Sequence, residues 1–596
     1  MAMAIGAPQA DGAVVHRGGG WALGGTPAAG VFTPEDLSEF QRQVAATVRE
    51  FVRGEVVPVA AALENQDFGH HVRLLRQAAA LGLTGIVIPE RYGGLGLDEV
   101  TQAVVTEAFA GAGGGFAITF GVQTGIGTLP ILFFGTPAQK EAYLPALVRA
   151  EKIAAYCLTE ADSGSDALAA RATARRSPDG RQWILNGTKQ WITNGGIADL
   201  FIVYAKVDGA QFSAFIVERG SPGLSTGKEE HKMGLRGSST CSVILEDCTI
   251  PVENLLHEIG RGHQVAFNTL NFGRFNLGAS AIGAAKHAAG LATRYAQQRR
   301  QFGKALAEFP LIQQKLAEMA VRIYAAESAG YRTAALLDEG LARIDHDAPD
   351  VGQHSAAAIR AYVVECSIVK VLGSEVLDFV VDEAVQIHGG YGFMEAFAVC
   401  RAYRDSRINR IFEGTNEINR LLICGDLLRR GQAGDLPLLP ALRRLPDDLL
   451  GRTPPVFDGT TALAQEHWLV EAARKIALLV AGLGLQKYGH AIEDEQEVLA
   501  GVADLLIDLY AMESALLRAE KHPSEARRDL ALAFVHDAFS RIEHTAGVLL
   551  ASLEEGDGLR AQMATLRKLT RRDAIDSIRL KRRIARRVLD AGGYAA

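Results

Sequence analysis

The sequence predicts a mostly helical protein of several domains, with one β domain set between helical regions. The chain has 596 residues, which is too long for a single ordinary hydrophobic core. Apolar residues recur at helical spacing along most of it, whereas the patterns typical of strands are confined to residues 155–263. The expected order is therefore helices, a β domain, a helical bundle and further helices.

The first helical region is predicted to begin at Thr33, and residues 1–32 are interpreted as a flexible leader. Thr33, Pro34 and two acidic residues form a helix-start signature, with Thr33 as the N-cap and Pro34 at the first helical position. Helical spacing continues beyond them. This predicts an N-terminal helical domain over residues 33–154.

A compact β domain is predicted over residues 155–263. The segments 183–185 and 191–193 flank Asn186–Gly187, a pair typical of tight turns, so a β-hairpin is expected there. Further strands are expected at residues 200–206, 212–217 and 242–245.

Long helical segments return at residue 264. Four or five helices with short connections over residues 264–430 are typical of an up-down bundle. Residues 431–461 are rich in Gly, Pro and Leu and are interpreted as a linker, followed by a C-terminal helical domain over residues 462–596. No strand–GxGxxG–helix unit occurs, which argues against a Rossmann-type dinucleotide enzyme.

Composition excludes several classes of protein. A net charge of −7 does not suggest the basic face that nucleic-acid binding needs. Six cysteines without CxxC or Cys/His spacing predict isolated thiols, with no metal site and no disulfide framework. No apolar run is expected to reach the roughly 20 residues that span a bilayer. The first residues lack a signal-peptide pattern, so a cytoplasmic protein is expected.

Three segments contain residues suited to binding a flat cofactor. Residues 156–166 (YCLTEADSGSD) join a short strand to a Gly-containing turn that can donate backbone N–H groups. Residues 189–196 (KQWITNGG) offer a ring for stacking and a hydroxyl on one strand face. Residues 299–304 (RRQFGK), followed by Gln313, form either a solvated helix end or a clamp on a pyrophosphate, for which Arg is preferred over Lys.

A fourth segment contains the candidate catalytic base. It comprises residues 386–393 (QIHGGYGF), whose paired glycines let a ligand approach the backbone, and residues 410–418 (RIFEGTNEI). Thr415 is a good N-cap for the helix that follows. Glu413 precedes that helix, between a phenylalanine and a glycine. A carboxylate in such a place can be both desolvated and reachable, as a general base must be.

In this order and spacing, these motifs resemble the acyl-CoA dehydrogenase family over roughly residues 35–430. The resemblance implies the fold of that family, FAD as cofactor, and α,β-dehydrogenation of fatty acyl-CoA to trans-2-enoyl-CoA in fatty-acid β-oxidation. Reduced FAD would pass its electrons to an electron-transfer flavoprotein. The C-terminal extension resembles the very-long-chain branch, which implies long acyl chains.

The resemblance also implies a role for each matching residue. Glu413 would be the base, because Gly273, which matches the base position in another branch, has no side chain. Ser165 and Arg274 would contact the coenzyme A part, and Gly414 would lie beside the thioester. The residues implied to bind FAD are Tyr156, Leu158, Thr159, Trp191 and Thr193 at the isoalloxazine ring, Arg299, Phe302, Gln313, Gln386, Gly389 and Gly390 at the pyrophosphate and adenine, and Thr415 and Glu417 near the adenosine.

In the family, the arginine-containing and glutamine-containing segments reach FAD from opposite subunits, so at least a homodimer is expected. Ala117, Gly121 and Gly125 recur every fourth residue and share one helix face. They would either leave a groove for a long acyl chain or merely allow close helix packing. The basic residues 567–587 would either pack on their own subunit or attach peripherally to an anionic membrane. An acyl-CoA oxidase and a non-catalytic assembly protein with the same fold are the alternative functions.

Overall fold

The computed structural model describes residues 18–342, 344, 345, 348, 351–450, 457 and 463–596. The predicted fold class, mostly α with a central β domain, is confirmed. The N-terminal region contains the helices α1 (Glu39–Phe51), α2 (Ala60–Glu64), α3 (Phe68–Ala80), α4 (Glu99–Phe109), α5 (Gly114–Thr124), α6 (Leu129–Phe134) and α7 (Pro137–Val148).

The first α-helix begins later than predicted. Thr33 introduces only a short 3-10 turn, Pro34–Asp36, in which the Thr33 N–H donates to the Asp36 carboxylate at 2.8 Å. The chain is extended after this turn. Helix α1 then starts with Ser38 as its N-cap, whose hydroxyl accepts from the Gln41 N–H at 3.2 Å.

The prediction of a flexible leader is wrong for residues 18–32, and residues 1–17 lie outside the described residues. The Trp21 side chain is 3% exposed, and its indole N–H donates to the Glu365 carboxylate at 2.8 Å. Arg474, from the C-terminal region, donates to the Trp21 carbonyl at 3.0 Å. A buried indole with a hydrogen-bond partner thus fixes this segment on the rest of the protein.

The central sheet has the strand order β6-β7-β3-β2-β4-β5-β8, and β1 pairs in parallel with β4. The strands are β1 (Ala154–Cys157), β2 (Thr173–Arg176), β3 (Gln182–Thr193), β4 (Leu200–Val207), β5 (Gln211–Glu218), β6 (Leu224–Thr226), β7 (Thr240–Pro251) and β8 (Leu255–Leu256).

The predicted hairpin at Asn186–Gly187 is wrong. This pair lies inside the continuous strand β3, at a point where the register with β7 shifts. The Asn186 amide donates to the Asp247 carboxylate at 3.1 Å. A Cβ at Gly187 would come within 2.7 Å of the Ala172 Cβ, so the glycine allows a close approach between strands rather than a turn.

The bundle follows the sheet. It contains α8 (Gly262–Gln298), α9 (Pro310–Leu341), α10 (Val351–Arg360), α11 (Val363–His388), α12 (Ala398–Ser406) and α13 (Asn416–Ala433), with a short antiparallel pair, β9 (Arg300–Gln301) and β10 (Lys304–Ala305), between α8 and α9. The C-terminal region contains α14 (Leu438–Leu450), α15 (Ala464–Tyr488), α16 (Gln496–Lys521), α17 (Glu525–Leu553), α18 (Gly556–Leu569) and α19 (Ser577–Ala591).

The linker prediction for residues 431–461 is wrong where α14 forms. Leu438 and Leu445 are buried, and Leu442 and Leu449 pack against the same core. Because these leucines recur at helical spacing, their burial favours a helix despite the nearby prolines. Outside the described residues lie 451–456 and 458–462.

One apolar stretch is longer than expected. Residues Gly114–Phe134 reach the length and hydropathy of a membrane span, contrary to the expectation that no run does so. They form the two helices α5 and α6, and 78% of the most apolar window is buried inside the protein. This stretch therefore contributes to the core.

Candidate active site

An apolar cavity lies between α5, α8 and α12, with Glu413 at one end. It follows one face of α8, because the lining residues recur at helical spacing. Helix α5 lines another side, and α12 with the loop after it lines a third. The lining residues from α8 are Gly273, Asn276, Leu277, Ser280, Ala281, Ala284, His287 and Leu291.

Small residues of α5 open this cavity. Ala117, Gly121 and Gly125 all line it. A Cβ added at Gly121 would meet no atom within 4 Å, so the space beside it belongs to the cavity and not to a helix contact. The groove is therefore favoured over the alternative that these residues serve close helix packing.

The loop that carries Glu413 has an unusual backbone conformation. The φ of Glu413 is 58° and that of Gly414 is 76°, and such left-handed values cost a non-glycine residue roughly 1–2 kcal/mol. Arg274 stabilises this conformation by donating to the Glu413 carbonyl at 3.2 Å. Lys370 and the Asn419 amide donate to the Gly414 carbonyl at 2.7 and 2.9 Å.

The Glu413 carboxyl group is suited to proton transfer near neutral pH. Burial raises the pKa of Glu413 to about 7, while the positive charges of Arg274 and Lys370 limit that rise. Its Oε2 atom has no hydrogen-bond partner within the described part of the chain. A desolvated carboxylate without a donor, at the end of a cavity, can accept a proton from a bound ligand.

Gly273 lies directly against this carboxylate. A Cβ at position 273 would overlap the Glu413 side chain, coming within 2.8 Å of its Cδ atom. The two positions considered for the base therefore share the same space. The absence of a side chain at 273 is what allows Glu413 to occupy it.

Lys370 is a residue of the site that sequence reasoning missed. Its side chain is fully buried on α11, and its ammonium also donates to the Asn416 side-chain carbonyl at 2.7 Å. Burial lowers the pKa of Lys370 to about 8, although the negative charge of Glu413 opposes this. The available signal was a lone lysine in the apolar run SIVKVLGSEVL, because buried charges need partners.

The residues predicted at the isoalloxazine ring lie together at the ends of β1 and β3. The Gln190 N–H donates to the Thr159 carbonyl at 2.9 Å, which joins the segments 156–159 and 191–193. Trp191 has a φ of 57° at an irregularity in β3, and its side chain is 58% exposed. An exposed indole held by strained backbone is suited to stacking on a flat ring.

The residues predicted at the pyrophosphate and adenine form a second group where α8 ends. The Arg299 guanidinium lies 5.5 Å from the centre of the Tyr391 ring. The Tyr295 hydroxyl donates to the His388 carbonyl at 3.3 Å. The arginine and glutamine segments are thus adjacent on one chain. The expectation that they reach FAD from opposite subunits stays a prediction.

This second group has the chemistry that a dinucleotide requires. Phe302 is 93% exposed, and Gln386, in the last turn of α11, is exposed as well. A Cβ at Gly389 or Gly390 would meet no atom within 4 Å, so their backbone is open to a ligand. Gln313 binds the Ala307 carbonyl at 2.9 Å. An arginine, an exposed ring and open backbone fit the pyrophosphate and adenine of FAD.

The remaining predicted residues are distributed around the catalytic loop and the sheet. Thr415 caps α13, accepting from the Ile418 N–H at 3.2 Å, as predicted. Glu417 is exposed in the first turn of that helix, and Ser165 is exposed in the turn after β1. Arg274 is buried and also donates to the Asn271 side chain at 2.7 Å. It holds the catalytic loop, and its contact with coenzyme A stays a prediction.

Family models match most of the chain. Residues 38–151 match the acyl-CoA dehydrogenase N-terminal domain and residues 155–248 the middle domain. Two models of the acyl-CoA dehydrogenase C-terminal domain match residues 260–428 and 472–568. The second of these lies in the C-terminal extension.

Similar proteins agree with these matches. A probable acyl-CoA dehydrogenase of Bacillus subtilis (strain 168) is 48% identical over 587 residues, which cover 97% of this chain and 98% of the relative. The very long-chain specific mitochondrial acyl-CoA dehydrogenase of Homo sapiens is 39% identical over 477 residues, covering 75% of this chain and 69% of the relative. The crystal structure of an acyl-CoA dehydrogenase complexed with FAD from Bacillus anthracis has a TM-score of 0.95 and 49% identity, covering 97% of this chain and 100% of that one.

The fold, the carboxylate at the end of an apolar cavity and the two groups of residues suited to a flavin are typical of a flavin-dependent dehydrogenase. With the matches above, the chain belongs to the acyl-CoA dehydrogenase family. It is an enzyme that uses FAD to dehydrogenate acyl-CoA.

Proposed function

We propose that this enzyme acts on long-chain fatty acyl-CoA in β-oxidation, with Glu413 as the base that removes the α proton and trans-2-enoyl-CoA as the product. The main support is the position of Glu413. Burial raises the pKa of its carboxyl group to about 7, and the group lies at the end of an apolar cavity. A base whose pKa is close to the working pH transfers protons efficiently.

The α C–H group is very weakly acidic, so the base needs help from groups that stabilise the developing enolate oxygen. Within the described residues, the main-chain N–H of Glu413 donates to no other backbone group. It is therefore a donor for the thioester oxygen, and one such preorganised donor typically contributes a few kcal/mol. Lys370 and Arg274 fix the loop that carries this N–H. Bound FAD supplies the acceptor for the β hydride.

The dimensions of the cavity support a long acyl chain. Lining residues extend along α8 from Gly273 to Leu291, eighteen residues and about 27 Å at the helical rise per residue. An extended chain advances roughly 1.2 Å per bond. The cavity therefore offers room for about 22 bonds of an extended acyl chain, measured from Glu413.

The enzyme is further proposed to be a cytoplasmic homodimer that passes electrons to an electron-transfer flavoprotein. Large exposed apolar side chains near the second flavin group, Phe302, Leu311 and Phe393, support a partner surface there. Size measurement in solution, with and without FAD, tests the dimer. A monomeric holoenzyme would contradict it.

For the basic tail we favour packing on its own subunit over membrane attachment. In α19 the apolar side chains Leu580, Ile584 and Val588 are buried against the protein. Asp529 pairs with both Arg583 and Arg587, at 2.6 and 2.7 Å. A membrane-bound amphipathic helix needs its apolar face free.

An anaerobic titration tests the reaction. Addition of hexadecanoyl-CoA to the holoenzyme is expected to bleach the flavin absorbance and yield the trans-2-enoyl thioester. Slow reoxidation on admission of air is expected from a dehydrogenase. Fast reoxidation with release of hydrogen peroxide would instead indicate an oxidase, and the absence of bleaching would indicate a non-catalytic protein.

A further inference from the structure

A loop of the β domain closes one side of the cavity near the start of α5. Leu235 lies in this loop, which joins β6 to β7, and its side chain lines the cavity. Leu235 is partly exposed, and Met233, two residues earlier, is 69% exposed. The Leu235 side chain therefore separates the cavity from solvent at this level.

Two contacts hold Leu235 in place. Its main-chain N–H donates to the carboxylate of Asp405 on α12 at 2.6 Å, and Asp405 is buried and also lines the cavity. The Leu235 side chain lies against the start of α5, because a Cβ at Gly114 would overlap it and would come within 2.8 Å of the Asp405 Oδ2 atom. The missing side chain at Gly114 thus gives Leu235 its space.

The backbone of Leu235 is strained. Its φ is 49°, a left-handed value that is unfavourable for a residue other than glycine. The hydrogen bond to the Asp405 carboxylate can stabilise this conformation, because hydrogen bonds to a charged group are strong. Strained backbone of this kind occurs preferentially where a side chain is directed at a ligand.

The distance from the base to Leu235 can be derived from α5 and α8. Along α5, Gly114 is eleven residues from Gly125, which corresponds to about 16.5 Å. Gly125 lies beside Asn276, and Asn276 is three residues from Gly273 on α8, which adds about 4.5 Å. Leu235 is therefore roughly 21 Å from the base, or about 17 bonds along an extended chain.

We propose that Leu235 is a specificity-determining residue for the longest acyl chains, and that Asp405 is the positioning residue that holds it against the cavity. A chain of twelve carbons ends before the level of Leu235. A chain of twenty carbons passes it, and without this side chain its last methylenes would be exposed to water. The inference rests on the long-chain function proposed above.

The test measures kcat/KM for eicosanoyl-CoA and for dodecanoyl-CoA on the holoenzyme, using a dye acceptor, and compares the ratio of the two values. Leu235→Ala is expected to lower this ratio roughly tenfold, the effect of about two methylenes that lose their burial. Leu235→Met nearly conserves the volume of the side chain and should keep the ratio. Met233→Ala, at an exposed side chain of the same loop, is the matched control and should also leave it unchanged.

Asp405 is tested through its effect on Leu235. Asp405→Ala removes the acceptor of the Leu235 N–H and should lower the ratio about as much as Leu235→Ala does. Asp405→Asn keeps an oxygen acceptor and should preserve most of the ratio. The double variant Leu235→Ala, Asp405→Ala should fall no further than either single variant, because both changes act through the same side chain.

The possible failures are distinguishable. Good turnover of eicosanoyl-CoA by the wild type, with an unchanged ratio in Leu235→Ala, would overturn this inference alone. Additive losses in the double variant would overturn the role of Asp405, as would an equal fall of both kcat/KM values in Asp405→Ala. Turnover of octanoyl and shorter thioesters only would overturn the long-chain function as well.

Calorimetry with Glu413→Gln holoenzyme gives a second readout that does not depend on turnover. Adding Leu235→Ala to that variant should raise the Kd of eicosanoyl-CoA and leave the Kd of dodecanoyl-CoA as it is. An equal change in both Kd values would contradict the proposed contact between Leu235 and the distal part of the chain.

Discussion

Replacing Gly121 with leucine tests how the cavity sets chain length. Gly125, one turn from Gly121 on α5, lies beside Asn276, since a Cβ at 125 would be 3.7 Å from the Asn276 amide nitrogen. Asn276 is three residues from Gly273 on α8. One helical turn from Gly125 to Gly121 and the rise of α8 from Gly273 to Asn276 together place Gly121 roughly 10 Å from the base. This distance corresponds to about eight bonds along an extended chain.

A leucine at position 121 would fill space that a long chain needs. Its four-carbon side chain displaces about four methylenes, each worth about 0.8 kcal/mol, so hexadecanoyl-CoA should lose on the order of 100-fold in kcat/KM. Octanoyl-CoA should lose little. The helix itself should gain stability, because leucine has a better helix propensity than glycine by up to about 1 kcal/mol and its Cβ would meet no atom within 4 Å.

The assay is a chain-length series from four to twenty carbons with a dye acceptor, run beside a thermal unfolding scan. Gly425→Leu is the matched control, because Gly425 is also a helical glycine with no atom near its Cβ position but lies on α13, outside the cavity. The reasoning is refuted if Gly121→Leu lowers activity equally for eight and sixteen carbons. A fall in Tm would show that the space at Gly121 is a packing contact after all.

Four further predictions concern the base and the cofactor. Glu413→Gln should keep FAD while turnover falls about 10²–10⁴-fold, and more than about a tenth of wild-type activity would place the base elsewhere. Because the base must be deprotonated and its pKa is raised to about 7, kcat/KM should fall as the pH drops through 7, and a profile that is flat from pH 5 to 8 would contradict this. Lys370→Met should lower kcat and move the acidic limb of the pH profile to higher pH, because it removes a cation that lowers the pKa of Glu413. Lys315→Met, which breaks an ion pair with Glu383, is the control and should change neither kcat nor the pH profile. Arg299→Ala should lower flavin content and dimer stability together, as measured by absorbance and solution mass, and full flavin in an intact dimer would leave only the solvated-face interpretation.

The sequence was sufficient where a local motif fixes local structure. Thr415 was predicted as the N-cap of α13 because that role depends only on neighbours in the chain. The roles of Glu413 and of the glycine pair at 389–390 stay predictions. The hairpin at Asn186–Gly187 was wrong because strand pairing with β7, a tertiary contact, overrides a turn preference. Trp21 was missed for the same reason, since its partners lie more than 300 residues away.

Lys370 shows a different limit. A lysine inside an apolar helix is visible in the sequence, but its partner is a loop carbonyl forty-four residues on. The motif identified the carboxylate and the fold class, whereas the groups that tune its pKa and fix its position could be found only from the structure. Sequence spacing alone does not report which helix of a bundle faces which loop.

Arg274 and Lys370 hold the loop of Glu413, and the distance between them depends on how closely their two helices pack. Arg274 lies on α8 and Lys370 on α11, and both donate to the loop of Glu413 and Gly414. These two helices are in close contact at Gly278 and Gly373. A Cβ at Gly278 would lie 2.7 Å from the Val369 carbonyl oxygen, and one at Gly373 would lie 2.8 Å from the Gly278 carbonyl oxygen.

A methyl group at either glycine would therefore push α11 away from α8 and lengthen the hydrogen bonds from Lys370, since backbone cannot rotate aside as a side chain can. A shift of about 1 Å in the position of a catalytic group can cost on the order of 100-fold in rate. The position of the base is thus set by the crossing of two bundle helices, α8 and α11, while α5 and α8 together line the length of the cavity. Chain-length preference and proton transfer are consequently separable: changes on α5 should alter the first, and changes at the α8–α11 crossing the second.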